Sequence, residues 1–250
     1  MTGIFTWWMP ARSGRDIGTP GKIDRSGAAA NNGMMRGMAD IVKRPYRSEA
    51  RAASAAATRA RIRETAVRLF VERGYVATTM RGVARAAGVG ERTLYDAFPT
   101  KAALFGHVLG VATVGDEEPV RVADRPEITA TREEPDPRSA IARLVAYSAA
   151  LLERAGDLIM VSVEAAGADP DMRAAADAGA RATHQVHLAL TEHLHRRGAL
   201  RDGMDPVTAA DILYALGSPH LHQLLRRHRG WTVEQYRTWL ENACARELLG

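Results

Sequence analysis

Between Thr79 and Lys101 the chain reads TMRGVARAAGVGERTLYDAFPTK. Met80, Val83, Ala84 and Ala87 recur at i, i+3, i+4 and i+7, which stacks them on one face of a short helix. Gly88 interrupts that pattern, and a glycine there takes positive φ, ending one helix and turning the chain sharply into the next. A second helix from about Glu91 to Phe98 has Val89, Leu94 and Phe98 to bury and leaves Arg92, Thr93, Tyr95, Asp96 and Ala97 mostly outward. A helix this short is unstable alone in water, so contacts with its predecessor hold it and its outer face is free for a partner. Pro99 closes it and Thr100 caps the next helix. Lys101 then falls in that helix's first turn, where the dipole disfavours a cation unless an anion such as a DNA phosphate lies nearby.

The remaining pattern is helical throughout. Upstream, Ile62, Ala66, Leu69, Phe70 and Arg73 share one face of a helix over 58–73 that Gly74 stops, the third side of the same unit. Downstream, Leu104, Phe105, Val108 and Leu109 mark a connecting helix from Lys101 to about Val114. Residues 115–136, rich in Asp, Glu, Pro and Arg, read as a loop and domain joint. Helices are expected at about 137–154, 157–167, 170–197, 206–216, 219–229 and 233–248, with starts marked by Asp136-Pro137, Asp205-Pro206, Ser218-Pro219 and the box Thr232 to Gln235. No stretch alternates as a strand would. The fold class is therefore all-α, in three parts: an N-terminal extension over 1–57, a three-helix helix-turn-helix domain over 58–114 with its helix-turn-helix at about 79–98, and a larger helical bundle over 115–250.

Composition adds a direction to this plan. The net charge of +5 is split unevenly: residues 1–57 carry nine basic and four acidic side chains, residues 58–110 again nine and four, and residues 111–250 sixteen and twenty-one. The basic half suits a polyanion, and apart from Lys22, Lys43 and Lys101 its cations are arginines, whose forked donors match phosphate and guanine edges. The extension, rich in Gly, Ser, Ala, Pro and Arg without sustained periodicity, reads as disordered, with Lys43 to Arg51 either a solvated tail or a basic arm along the minor groove. Met34, Met35 and Met38 offer alternative translation starts that would leave residues 1–33 outside the protein. The single cysteine, Cys244, excludes an intrachain disulfide and fits a reducing cytoplasm, and no run of 18 apolar residues would span a membrane. The first residues also lack the pattern of a signal peptide.

At TTMRGVARAAGVGERTLYDAFPTKAAL, with RIRETAVRLFVERGY before it, the sequence resembles the N-terminal domain of TetR-family transcriptional regulators. The likeness covers roughly Thr58 to Val108 and rests on Gly-Val, Thr-Leu-Tyr, Phe-Pro and Thr-Lys at the family's spacing. It departs from the usual pattern at Gly90, where a capping hydroxyl is common, and at Asp96 and Ala97, where aromatic or histidine residues are common. The resemblance implies a DNA-binding regulator with no cofactor, with Thr79, Tyr95 and Lys101 at the phosphate backbone; Arg92, in the first turn of the second helix, is the candidate base reader, beside the outward Thr93 and Asp96, and no base preference carries over from the family at Asp96. The resemblance also implies double-stranded DNA with a palindromic operator, a homodimer formed through the last helices, and an unidentified small-molecule effector. Repression released by that effector is the expected mode, with activation or ligand-independent control as the alternative.

The second half offers candidates for the other two roles. Tyr147, Met160, Met172 and Tyr214 would serve as adaptable walls of an effector cavity, and Leu224, Leu225, Trp231 and Trp239 would suit a dimer interface, although core packing accounts for each of them as well. Histidines crowd this half, at 184, 187, 193, 195, 220, 222 and 228, and His184 and His187 stand at i, i+3. They lack the His-Glu-x-x-His arrangement and a cysteine partner, so no metal site is expected. No nucleophile motif, phosphate loop or paired-carboxylate signature gives catalysis a starting residue. A helical enzyme or metal-binding protein with an incidental helix-turn-helix is the alternative of a different class, and metal analysis with DNA binding separates the two.

Overall fold

The computed structural model describes residues 43–118 and 120–250, with side chains from Arg51 onward. Among the described residues ten α-helices carry the fold: α1 (Lys43–Ala77), α2 (Met80–Ala86), α3 (Glu91–Ala97), α4 (Lys101–Val114), α5 (Pro126–Glu133), α6 (Pro137–Ala165), α7 (Pro170–Arg196), α8 (Pro206–Leu216), α9 (Pro219–Gln223) and α10 (Val233–Leu248). A π-helical turn over Leu224–His228 continues α9. Among the described residues there is no strand, only one antiparallel bridge between Leu200 and Leu249 that ties the chain's end to the α7–α8 link.

Two cores form, and α6 runs through both. The first gathers Ile62, Phe70, Tyr75, Val83, Leu94, Phe98, Leu104 and Phe105 of the N-terminal helices, and is completed by Leu158, Val161 and Ala165 of α6 and Met172 of α7. The second is built by Ile128, Ile141, Leu144, Val145, Leu190, Leu194, Leu213, Tyr236 and Leu240. A boundary at residue 114 thus divides the sequence but not the packing: the far end of α6 belongs to the N-terminal core, so a shift of that helix is felt by the helix-turn-helix.

Three expected elements differ. Helix α1 begins at Lys43, not Thr58, so residues 43–57, expected to be disordered, are helical. Residues 51–57 are all exposed and five of the seven are alanine, so intrinsic propensity rather than an apolar face accounts for this helix. Residues 1–42 of the expected extension, including the alternative starts, lie outside the described residues. The helices expected at 137–154 and 157–167 are one, because Gly156 sits buried within α6 as a packing site instead of a break. The loop expected over 115–136 contains α5, opened by Pro126 at its first position and anchored by buried Ile128.

Candidate nucleic-acid interface

The recognition unit is assembled from its turns. Thr79 caps α2, its hydroxyl accepting from the Gly82 N–H at 3.1 Å. Gly88, at φ 63°, ends α2 with the Gly88 N–H bonded to the Arg85 carbonyl (3.3 Å) and the Val89 N–H to the Ala84 carbonyl (3.0 Å). These are the paired bonds of a Schellman ending, and a side chain in that left-handed position would strain it. Gly90 caps α3 without a side-chain bond. Leu94 (0% exposed) and Phe98 (4%) then fix α3 against the first core.

What remains outward on α3 is Glu91, Arg92, Thr93, Tyr95 and Asp96, all exposed, whereas Ala97, expected outward, is half-buried. Arg92 stands 3.8 Å from Asp96 with its side chain 94% exposed, a loose pair that water screens. Arg81 of α2 bonds Glu91 at 2.9 Å, bracing the start of α3. Arg59 of α1 reaches its other end, 5.5 Å from the centre of the Phe98 ring and 3.4 Å from the Ala97 carbonyl. Neither brace was named from sequence: the partners lie 10 and 38 positions apart, beyond any periodicity.

Lys101 departs from the expectation that only an external anion would offset its place in the first turn of α4. Its ammonium donates to the Tyr75 carbonyl at 2.9 Å and lies 4.2 Å from the centre of the Tyr75 ring. Burial lowers its pKa from the ordinary lysine value. Thr79, Arg92, Thr93, Tyr95 and Asp96 are exposed, and Lys101 is half-buried at their edge.

The effector residues are not brought together. Met172 is 2% exposed within the first core, while Tyr147 packs against the second, its hydroxyl buried without a partner. Met160 is half-buried on α6, and Tyr214 is 38% exposed, edge-on to His184 and His187. A surface pocket of about 370 Å³ at the α6–α7 turn is lined by none of the four. Of the dimer candidates, Leu224 is 48% exposed, while Leu225, Trp231 and Trp239 pack partly buried against the second core, the two tryptophan rings 5.9 Å apart. Among the described residues no group of three His, Cys, Asp or Glu side chains is arranged to hold a metal ion, and no single helix is long and apolar enough to cross a membrane.

Residues 62–108, from the buried Ile62 of α1 to the buried Val108 of α4, match the family profile described as bacterial regulatory proteins, tetR family. The N-terminal unit is a tetR-family domain. Solved structures share the fold over about three quarters of the chain. Native NalD of Pseudomonas aeruginosa, described as the secondary repressor of the MexAB-OprM multidrug efflux pump, aligns with a TM-score of 0.61 at 24% identity, over 78% of this chain and 98% of its own. A transcriptional regulator from Saccharomonospora viridis in complex with choline aligns at 0.59 and 23% identity, over 78% and 99%. The MbdR regulator from Azoarcus sp. CIB aligns at 0.61 and 21%, over 77% and 100%. At these identities the likeness establishes the fold. Comparison with curated protein sequences gives no match. The tetR-family domain thus stands on a helical C-terminal part that contributes four side chains to its core.

Proposed function

We propose that this chain is a dimeric, sequence-specific transcriptional regulator, a repressor that leaves a palindromic operator when a small molecule binds. The observation that carries the reading is the outer face of α3, where Arg92, Thr93, Tyr95 and Asp96 stand exposed on a helix whose inner face, Leu94, is fully buried. A rigid helix with a free polar face is what the major groove accepts, with residues of its first turn at the base edges. Arg92 reads bases, Thr93 and Asp96 flank it, and Thr79, Tyr95 and Lys101 hold the backbone. The excess of arginine over residues 58–110 supplies the sequence-independent attraction.

A single short recognition helix offers too few contacts for tight specific binding, so two copies act together, joined through the face that leaves Leu224 exposed. The effector acts on α6 and α7, the helices shared by both cores, by favouring one spacing of the two recognition helices. Tyr147, on α6, offers it one buried hydroxyl without a partner. Choline bound to one protein of this fold supports small-molecule control. The reading places the protein in the cytoplasm, with the DNA it controls. Selection of bound duplexes from a random pool tests it: recovery of a palindrome with half-sites about one helical turn apart supports the reading, and a pool that stays unenriched overturns it.

A further inference from the structure

Glu153 and Asp157 stand one turn apart on α6, and α9 with its π-helical turn meets them with two pairs of side chains at the same spacing. His222 and Arg226 both bond Glu153, the His222 Nε2 at 2.8 Å and the Arg226 Nε and Nη2 at 2.5 and 2.8 Å. Gln223 and Arg227, each one position further on, both donate to Asp157: the Gln223 amide at 3.4 Å, the Arg227 Nε at 3.4 Å and its Nη2 at 2.9 Å. Both arginines bind side-on, with Nε on one carboxylate oxygen and Nη2 on the other. Such a forked grip fixes direction as well as distance, so the two rungs form a ladder that sets how the segment lies on α6.

Leu224 lies inside this ladder, next to Gln223 and two positions before Arg226, and its own side chain points away to solvent. The turn it opens is π-helical, with the Arg229 N–H on the Leu224 carbonyl at 3.0 Å. Such turns are rare, and here both arginines of the turn are bonded to α6, while Arg226 also donates to the Trp231 carbonyl. On the α6 side, Asp157 is followed directly by Leu158, which is 1% exposed in the first core. One turn of α6 therefore meets the core of the DNA-binding unit on one side and the segment that carries Leu224 on another.

We propose that Glu153 and Asp157 are positioning residues for the subunit contact: the ladder fixes the π-helical turn and aims Leu224 at the second copy, so a displacement of α6 that disturbs the first core also shifts the fit between subunits. The inference rests on the reading of Leu224 as part of the dimer face. The rungs differ in exposure. The Glu153 side chain is 25% exposed and that of Arg226 14%, whereas Asp157 and Arg227 are 36% and 46% exposed, so the outer rung can be removed at little cost to the fold.

Asp157→Asn in the full chain tests it, since asparagine keeps the size of the side chain while removing the charge. Sedimentation equilibrium gives the dimer dissociation constant, in wild-type and Leu224→Ala backgrounds. The dimer is expected to loosen by about two- to fivefold, the scale of a partly exposed charge pair, with no further change in the Leu224→Ala background. Arg227→Gln, on the other side of the same rung, should loosen it as much, the two together no further, and the reversed pair Asp157→Arg with Arg227→Asp should recover the wild-type constant. Equal loosening with and without Leu224 would make the pair part of the general surface field and overturn the inference, as would unchanged association in both single variants. A wild type that stays monomeric, or a Leu224→Ala chain that associates as the wild type does, overturns the dimer reading and this inference with it. A dimer that needs Leu224 but is indifferent to the ladder removes only the inference.

Discussion

Gly156 of α6 faces His222 of α9 so closely that a Cβ on the glycine would lie 3.4 Å from the His222 Nδ1. The histidine is 1% exposed, its ring edge-on to Tyr236 at 5.0 Å, and its Nε2 bonds Glu153 at 2.8 Å. Arg226, in the π-helical turn, bonds the same carboxylate at 2.5 and 2.8 Å. A glycine inside a helix costs about 0.5–1 kcal/mol relative to alanine, and here it makes room for a buried imidazole. A methyl group would meet the ring at ordinary contact distance, so Gly156→Ala should be neutral or stabilise by up to about 1 kcal/mol. Gly156→Leu should overpack the crossing and destabilise by about 1–3 kcal/mol. Chemical denaturation of the two variants checks the pair, and equal effects would mean that α6 and α9 do not meet here.

Stability should fall with acid in two separate windows. His187 is 5% exposed, and burial, aided by the His184 charge, lowers its pKa from 6.5 to about 4. The unfolded chain binds a proton there that the folded chain refuses, so stability is lost as pH falls from about 6.5 toward 4. His222 is lowered by burial in the same sense and adds to this loss. Glu153 works at lower pH: its bonds from Arg226 and His222 hold it near 2 instead of 4.5, so its contribution is present above 4.5 and lost as pH falls through 2. Denaturant midpoints between pH 7 and 5 should decline less steeply in His187→Gln. In Glu153→Gln that slope should persist while stability at pH 7 drops by about 1–3 kcal/mol, because Arg226 loses its carboxylate. A wild-type midpoint that is flat from pH 7 to 5 would contradict the buried neutral histidines.

The helix-turn-helix was legible because its signals are local. Apolar spacing in α2, Gly88 at the turn, and Leu94 with Phe98 in α3 lie within 20 residues, and the buried set matches them. The caps at Thr100, Asp136, Asp205, Ser218 and Thr232 were equally readable, each accepting a backbone N–H within three positions. The misreadings share one cause. One helix stands where two are expected around residue 156 because the imidazole that packs on Gly156 lies 66 positions away, and α5 stands where a loop is expected because the core that buries Ile128 is made by helices far downstream. Met172 and Tyr147 look alike in the sequence as side chains on long helices, and only the fold assigns them to different cores.

Of the four dimer candidates, Leu224 is the one that stands exposed. Removing everything after Gly203 would strip Leu213, Tyr236 and Leu240 from the second core, so a truncated chain would unfold before it tested association. Leu224 is 48% exposed in the π-helical turn and can change without disturbing that core. Leu224→Glu should leave thermal stability at high dilution unchanged and shift the chain from dimer to monomer in sedimentation, with operator binding weakened by at least about tenfold. A variant that stays dimeric would place the interface elsewhere.

Arg92 is the residue on which base recognition turns. It lies in the first turn of α3, with its side chain 94% exposed and Asp96 one turn along at 3.8 Å. The pair competes with the groove for the guanidinium, but an exposed i,i+4 pair stabilises a helix by only about 0.2–0.5 kcal/mol. A bidentate contact to the N7 and O6 acceptors of guanine discriminates by about 1–3 kcal/mol, so the base should win when DNA is present. Selected sites for wild type and Arg92→Ala should then differ by the loss of one symmetric G·C preference in each half-site. Asp96→Ala should strengthen the same preference slightly, because it frees the arginine at small cost. A uniform drop in affinity across all sequences for Arg92→Ala would instead assign Arg92 to the backbone and leave base reading to Thr93 and Asp96.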